Sequence, residues 1–378
     1  MTLQNQPPKR YLSLDVLRGI TVAFMIVVNT PGSWSSIYSP FAHATWHGFT
    51  LTDLVFPTFL FVVGNAISFS FKKIDNQPFS AFFGRLLKRS VIIFLIGVLL
   101  NHFPFIDFGA DSWTLKDISS VRILGVLQRI ALCYFLGGLI IYFFRKASTL
   151  LLISTGILLM YWLILYLFGT GNDPYALETN APKLFDDLIF NAKNLYQGLG
   201  ITFEPEGVLS TLPSIVHVIV GYLIGKFIQV NGNKRSTFLQ LLVIATTALA
   251  IGLLWDTVFP INKSLWTSSY VLYALGWDIF ILAVLMGIID LLHLKRWTYF
   301  FEVFGKNPLF IYILAWVIIS ALHIIPVNGS TVPSLFYRDF LLNHFADKTA
   351  SLLFAVCYML LLWLIGFALD KNKIYVKV

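Results

Sequence analysis

Charge is scarce in this sequence. Only 12% of its 378 residues are charged while 57% are hydrophobic, and the mean hydropathy is +0.77. A water-soluble domain carries roughly a quarter of its residues as charges, so that class is excluded. Cysteine is nearly absent: Cys133 and Cys357 both fall within apolar runs, which leaves no disulfide framework and no thiolate metal cluster. Phosphate-cradling loops are missing as well. There is no Walker loop, no dinucleotide fingerprint and no G-x-S-x-G elbow. No internal repeat is visible, so an inverted-repeat transporter has no direct support.

What is present is a series of apolar runs, each near the ~20 residues that cross a ~30 Å hydrocarbon core. They predict spans at about 12–30, 50–71, 86–101, 122–144, 148–168, 208–229, 236–256, 267–292, 307–325 and 349–369. The expected fold is all-α: a polytopic membrane helical bundle of about ten helices, forming one transmembrane domain over 1–378. The first apolar run continues into structure without a cleavage site, so no cleavable signal peptide is expected.

The net charge of +8 would suit nucleic acid, but its placement argues for topology instead. Lys9, Arg10, Lys72, Lys73, Arg85, Lys88, Arg89, Arg145, Lys146, Lys226, Lys234, Arg235, Lys295, Arg296, Lys306, Lys371, Lys373 and Lys377 fall on one side of the expected spans. The other side has Lys116, Arg122, Lys183, Lys193, Lys263, Arg338 and Lys348, diluted by carboxylates. The positive-inside rule puts the first set, and both termini, in the cytoplasm. No nucleic-acid partner is expected.

Three segments then share the outer face. The longest is 169–207, expected to fold into an outer cap; the others are 30–49 and 257–270. Together they could roof one pocket. On the basic side, the aromatic stretch 297–304 is expected to lie along the interface until GKNP breaks the chain. Pro57 is expected to kink the second span.

Several polar residues sit where an apolar one would do. Asp15, Arg18 and Asn29 share one face of the first helix, with Arg18 and Asn29 ~16 Å apart along its axis. That is about the reach of an extended pantetheine arm, and the stripe suggests a lined tunnel. The plainer reading is an arginine snorkelling to headgroups and a helix-end asparagine. His43 and Asp53 flank the mouth of the second span. An imidazole beside a carboxylate can act as a general base, the carboxylate fixing its tautomer. On spacing alone, a loop histidine and an N-cap aspartate are the better explanation. His47 competes for the histidine role. His43 and His47 stand four apart, but on no convincing helix, so no metal is expected. Deeper in the bilayer, Arg129, His217, Asp278 and Asn65 need partners; an Arg129–Asp278 pair is the expected brace.

The blocks LDVLRGITVAFMIVVN, FAHATWHGFTLTDLVFPTFLFVVG, LGVLQRIALCY, EPEGVLSTLPSIVHVIVGYLIG, FPINKSLWTSSYVL and GKNPLFIY occur in that order. The pattern resembles the heparan-α-glucosaminide N-acetyltransferase family of transmembrane acyltransferases, over nearly the whole chain. The resemblance implies acetyl transfer across a membrane, from cytoplasmic acetyl-CoA to an amino sugar on the other side. It implies catalytic roles for His43 (in HATW), Asn29 and Asp53. Lysosomal members carry a luminal domain and a further span before this core. A start about ten residues before the first helix resembles the bacterial branch, in the inner (plasma) membrane.

The function expected is a membrane acetyl-CoA:glucosaminide N-acetyltransferase. Its donor would be held near Arg18, with Asp15 beside it, and Lys306. Asn29 would polarise the acetyl carbonyl and His43, supported by Asp53, would deprotonate the sugar amine. Direct transfer and an acetyl-His43 relay are equally allowed. Activity is expected to rise with pH as the imidazole deprotonates. Glu206, Asn262, Lys263, Trp266 and Trp46 are the candidates for gripping the sugar. Membrane lipid is the surrounding partner, and aromatic-rich outer surfaces make a homodimer plausible. The rival is an N-acetylglucosamine transporter that does no chemistry.

Overall fold

The computed structural model describes residues 11–71, 78–108, 113–327 and 329–376. Lys9, Arg10, Lys72, Lys73 and Lys377 of the basic side lie outside these. The chain forms a helical bundle. Helix α1 is Leu12–Asn29; a 3-10 turn, Thr52–Leu54, leads into α2, Val55–Ser70. Then come α3 (Phe79–His102), α4 (Val126–Phe143), α5 (Ala147–Phe168) and the short α6 (Ala181–Ile189). They are followed by α7 (Val208–Asn231), α8 (Arg235–Asp256) and α9 (Ser268–Met286). Helices α10 (Thr298–Lys306), α11 (Pro308–Ile324) and α12 (Asp347–Lys371) complete the set. Two short hairpins, Ile106–Phe108 with Trp113–Leu115 and Pro326–Val327 with Ser330–Thr331, decorate the connections.

This is a polytopic helical membrane protein. Among the described residues, eight helices are long and apolar enough to cross a bilayer, and α10 with α11 makes a ninth candidate, bent by 83°. The break falls at Asn307, because Pro308 has no amide to continue the α10 ladder. The remaining expected span, 86–101, lies inside α3. That helix has 24 residues, long enough to cross, but Arg85, Lys88 and Arg89 make its first half too polar to score as apolar throughout.

Helix α1 is the axle. One of its faces packs through Val16 and Leu17 into a core built from α2, α3, α4, α7 and α9. The opposite face, with Val22, Met25 and Ile26, packs against Phe304, Ile311, Tyr358 and Leu362 of α10, α11 and α12. Helix α2 is equally central: 78% of its span is buried, against 28% for α5 and 22% for α8, which present apolar faces outward. Close approach of α2 to α7 depends on two glycines. A Cβ at Gly64 would strike the Val218 carbonyl, and one at Gly221 the Phe61 carbonyl. Pro57 does not kink α2. It falls in the helix's first turn, where its missing N–H costs nothing, so α2 starts there and runs unbroken to Ser70.

At the end of the bundle away from Arg18, the connection 169–207 folds into a cap with a core of its own. Tyr175, Ala181 and Phe203 pack on Tyr161, Leu165, Phe259 and Leu265. Asn180 caps α6, its side chain accepting from the Lys183 amide at 2.9 Å.

Candidate active site

The stretch between α1 and α2 is held by bonds to three other parts of the chain. The Ser33 amide donates to Ser351 Oγ at 3.0 Å, at the start of α12. The Gly48 amide donates to the Ile261 carbonyl at 2.8 Å, with φ at +113°, a conformation glycine adopts at little cost. Trp46 Nε1 donates to the Tyr175 carbonyl at 2.9 Å in the cap. So anchored, the loop presents His43 at the mouth of α2.

Asp53 organises that mouth. Its Oδ1 lies 2.6 Å from His43 Nδ1. Its Oδ2 accepts from the amides of Ala44 (3.1 Å) and Thr50 (3.0 Å), with the Thr50 hydroxyl also at 3.0 Å. Its own carbonyl accepts from Tyr270 Oη of α9 at 2.7 Å. The carboxylate is 1% exposed and the imidazole 44%. A buried acceptor with this many donors stays anionic and in place. It therefore takes the Nδ1 proton of His43 as a hydrogen bond and leaves Nε2 with its lone pair outward. Facing Nε2, at 3.5 Å, is Lys263 Nζ.

A cavity of about 210 Å³ joins this mouth to the other end of the bundle. His43, Asn29, Thr52, Glu206 and Lys263 line it at the capped end, and Arg18 and Arg89 at the basic end. Between them the walls are apolar: Met25, Val28, Val55, Phe56, Phe59, Val62, Val63 and Ile93, with Tyr312 of α11. The 3.6-residue repeat puts Arg18 and Asn29 on one α1 stripe, so a single helix supplies a cation near one end and an amide near the other. Asn29 is exposed to the cavity, and its amide has no hydrogen-bond partner among the described residues. Arg18 pairs with Asp15 at 2.5 Å. Arg89 stacks over Tyr134 at 5.1 Å.

The turn that delivers Lys263 is rigid. The Asn262 side chain accepts from the Leu265 amide (2.8 Å), while its backbone amide donates to Thr267 Oγ1 (3.0 Å). Trp266 adopts φ +55°, wedged edge-on against Phe56, Tyr270 and His217. Across the cavity, Arg122 bonds Glu204 at 2.5 and 2.9 Å and Glu206 at 2.6 Å. The guanidinium also lies over the Tyr196 ring, 4.8 Å from its centre. Asn101 secures the arginine's loop by donating to the carbonyls of Arg122 and Leu124, at 2.9 and 3.0 Å.

The electrostatics follow from this packing. Burial would raise the Glu206 carboxyl, but Arg122, Arg129 and Lys263 outweigh it and hold it below the usual glutamate range. Glu204 ends above that range, because its burial exceeds what Arg122 returns. Burial pushes the Lys263 ammonium below the ordinary lysine range, with Glu206 and Asp53 opposing and Arg129 and Arg122 assisting. Burial beneath Gly207 likewise drives Asp186 up to about 7. His47 lies below the usual imidazole value, mainly from burial.

Several expected residues have other work. Lys306 does not line the cavity; both oxygens of Asp370 hold its ammonium at 2.8 Å, and the Tyr299 ring lies below it. Arg89 takes the second cationic position instead. Trp46, Asn262 and Trp266 also lie off the cavity: Trp46 is engaged with the cap, and the other two shape the turn that carries Lys263. The Arg129–Asp278 brace does not form. Arg129 donates to the Gly207 carbonyl at 3.0 Å and to Ser210 Oγ, and stacks over Trp266 at 4.9 Å. Asp278 accepts from Thr58 Oγ1 at 2.6 Å. A depth match along two helices could not reveal that they face different neighbours. Arg122, which holds the lining residue Glu206, was not singled out from the sequence. The sequence signal was the E-P-E pair at 204–206, two carboxylates too close together to be buried without a cation.

A family model described as heparan-alpha-glucosaminide N-acetyltransferase, catalytic, matches residues 10–253, a stretch that holds Arg18, Asn29, His43, Asp53, Arg89 and Glu206 but not Lys263. The human heparan-alpha-glucosaminide N-acetyltransferase is 29% identical over 361 residues, covering 81% of this chain and 52% of its own. The mouse protein of that name is 29% identical over 362 residues, covering 80% and 53%. The chain thus spans about half the length of these curated relatives.

Proposed function

Because the chain belongs to the heparan-α-glucosaminide N-acetyltransferase catalytic family, we propose that it transfers acetyl from acetyl-CoA to the amine of a glucosamine-type sugar across the membrane. The observation that carries this is the continuity of one cavity between a two-arginine end and a His43–Asp53–Asn29 end. The donor fits this shape chemically. Arginines suit its phosphates, the apolar walls suit its extended arm, and the free Asn29 amide suits the carbonyl oxygen of its thioester.

His43 Nε2 takes the proton from the attacking sugar amine, and Asp53 stabilises the imidazolium that forms. The Asn29 amide donates to the carbonyl oxygen as it gains negative charge. The thiolate leaves towards the arginine end and takes the proton from His43. Glu206 supplies a counter-charge for an arriving ammonium, and Lys263 marks the side from which an amine approaches Nε2. Direct transfer is the form this geometry favours, since the Nε2 lone pair already faces an amine nitrogen. Orientation follows the charge bias: the arginine end and both termini in the cytoplasm, the cap outside. A bacterial inner membrane and a hexosamine acceptor complete the reading.

The test uses purified full-length protein in detergent with acetyl-CoA and glucosamine. Free thiol should be released at a rate that depends on both the sugar and His43. Sugar uptake into vesicles that needs no acetyl-CoA and survives His43→Ala would favour the carrier reading instead.

A further inference from the structure

The Nε2 atom of His43 faces a primary amine belonging to the chain itself. Lys263 Nζ stands 3.5 Å away, and both side chains line the same cavity as Asn29. A sugar amine awaiting deprotonation would need the same relation to the base. The turn of residues 262–267 holds the lysine there through the Asn262, Thr267 and Trp266 contacts described above. Glu206, a carboxylate lining the same cavity, already serves Arg122 at 2.6 Å, and among the described residues no ion pair ties Lys263 to either Glu206 or Asp53.

We propose that Lys263 is an internal acetyl acceptor, so that the protein acetylates its own Nζ when acetyl donor is present and sugar is not. This rests on the acetyl-transfer reading above. In the step, the neutral amine's lone pair forms a C–N bond to the thioester carbonyl carbon. The C–S bond breaks and its electron pair leaves with sulfur. The proton shed by Nζ passes to His43 Nε2 and then to the thiolate, so the products are acetyl-lysine and free thiol, with no change of redox state. Burial, which lowers the Lys263 ammonium below the ordinary lysine range, favours the neutral form that this step needs. The product removes a cation beside Glu206 and places an acetamide where the sugar amine must come. Acetylation is therefore a brake that sets in when acceptor runs out.

The experiment incubates the full-length protein in detergent with isotope-labelled acetyl-CoA, with and without glucosamine, and maps label by peptide mass spectrometry while thiol release is followed. Without sugar, a burst of no more than one thiol per chain is expected, with label on Lys263. Preloading with glucosamine should suppress the label, Lys263→Arg should lose the burst, and the labelled protein should have lost most of its sugar-dependent turnover. Normal turnover with sugar but no label on Lys263 overturns the inference and leaves the transferase reading standing. Equal label on the exposed Lys193, or labelling of Lys263 at an unchanged rate in His43→Ala, overturns it as simple chemical acetylation. Neither thiol release nor label under any condition overturns both.

Discussion

The two ends of the cavity are built on opposite plans. At the capped end three carboxylates are committed: Asp53 to His43, Ala44 and Thr50, and Glu204 and Glu206 to Arg122. At the other end two arginines stand among apolar walls, one paired with Asp15 and one stacked on Tyr134. Dense networks resist reorganisation and suit a place where charge develops during a reaction. Cations on long stems suit a flexible, phosphate-bearing ligand that must enter and leave. On the proposed function, chemistry belongs to the first end and donor binding to the second.

The largest expected effect breaks the first end. His43→Ala should cut sugar-dependent thiol release roughly 10²–10⁴-fold, the usual worth of a positioned general base, with little change in donor KM. Full turnover without the imidazole would erase the distinction between the ends. Asp53→Asn should come next, on the order of 10²-fold in kcat. An amide can donate to Nδ1 and select the wrong tautomer, and the mutant should also melt earlier because the Ala44 and Thr50 bonds weaken. Unchanged kcat with a lowered melting temperature would make Asp53 a loop brace only.

At the other end the effect should be smaller and of another kind. Arg89→Ala should raise the KM for acetyl-CoA about tenfold, equivalent to ~1.4 kcal/mol, while kcat holds. A fall in kcat at constant KM would move chemistry towards the arginines. The smallest effect concerns the cap. Asp186, held up to about 7 by burial, keeps its proton in the folded state across a window that starts near the ordinary aspartate value of about 4. The unfolded chain has lost that proton, so the folded state binds more protons there, and stability declines as pH rises through the window. Asp186→Asn should flatten that decline by a few degrees in melting temperature between those limits. A wild-type melting curve that rises over the same range would contradict the assignment.

Much of this was legible before folding. Span lengths and the break at GKNP follow from apolar runs and one proline, which act locally. The His43–Asp53 pair was legible only as one of two readings, since spacing does not distinguish a buried carboxylate from a helix cap. The Arg129–Asp278 pairing failed because helix depth carries no information about which way a side chain faces. Lys306 and Arg89 exchanged parts for a similar reason: both are basic-side cations, and only packing against Asp370 removes the first from the cavity.

The amino-acid order by itself determined that this chain lives in a bilayer as a helical bundle, because apolar run length and charge bias are properties of single segments. Which residues meet was decided by tertiary structure alone. His43, Lys263 and Glu206 come from three separate connections, and the cavity that joins them to Arg18 and Arg89 exists only once α1, α2, α3 and α11 have packed around it.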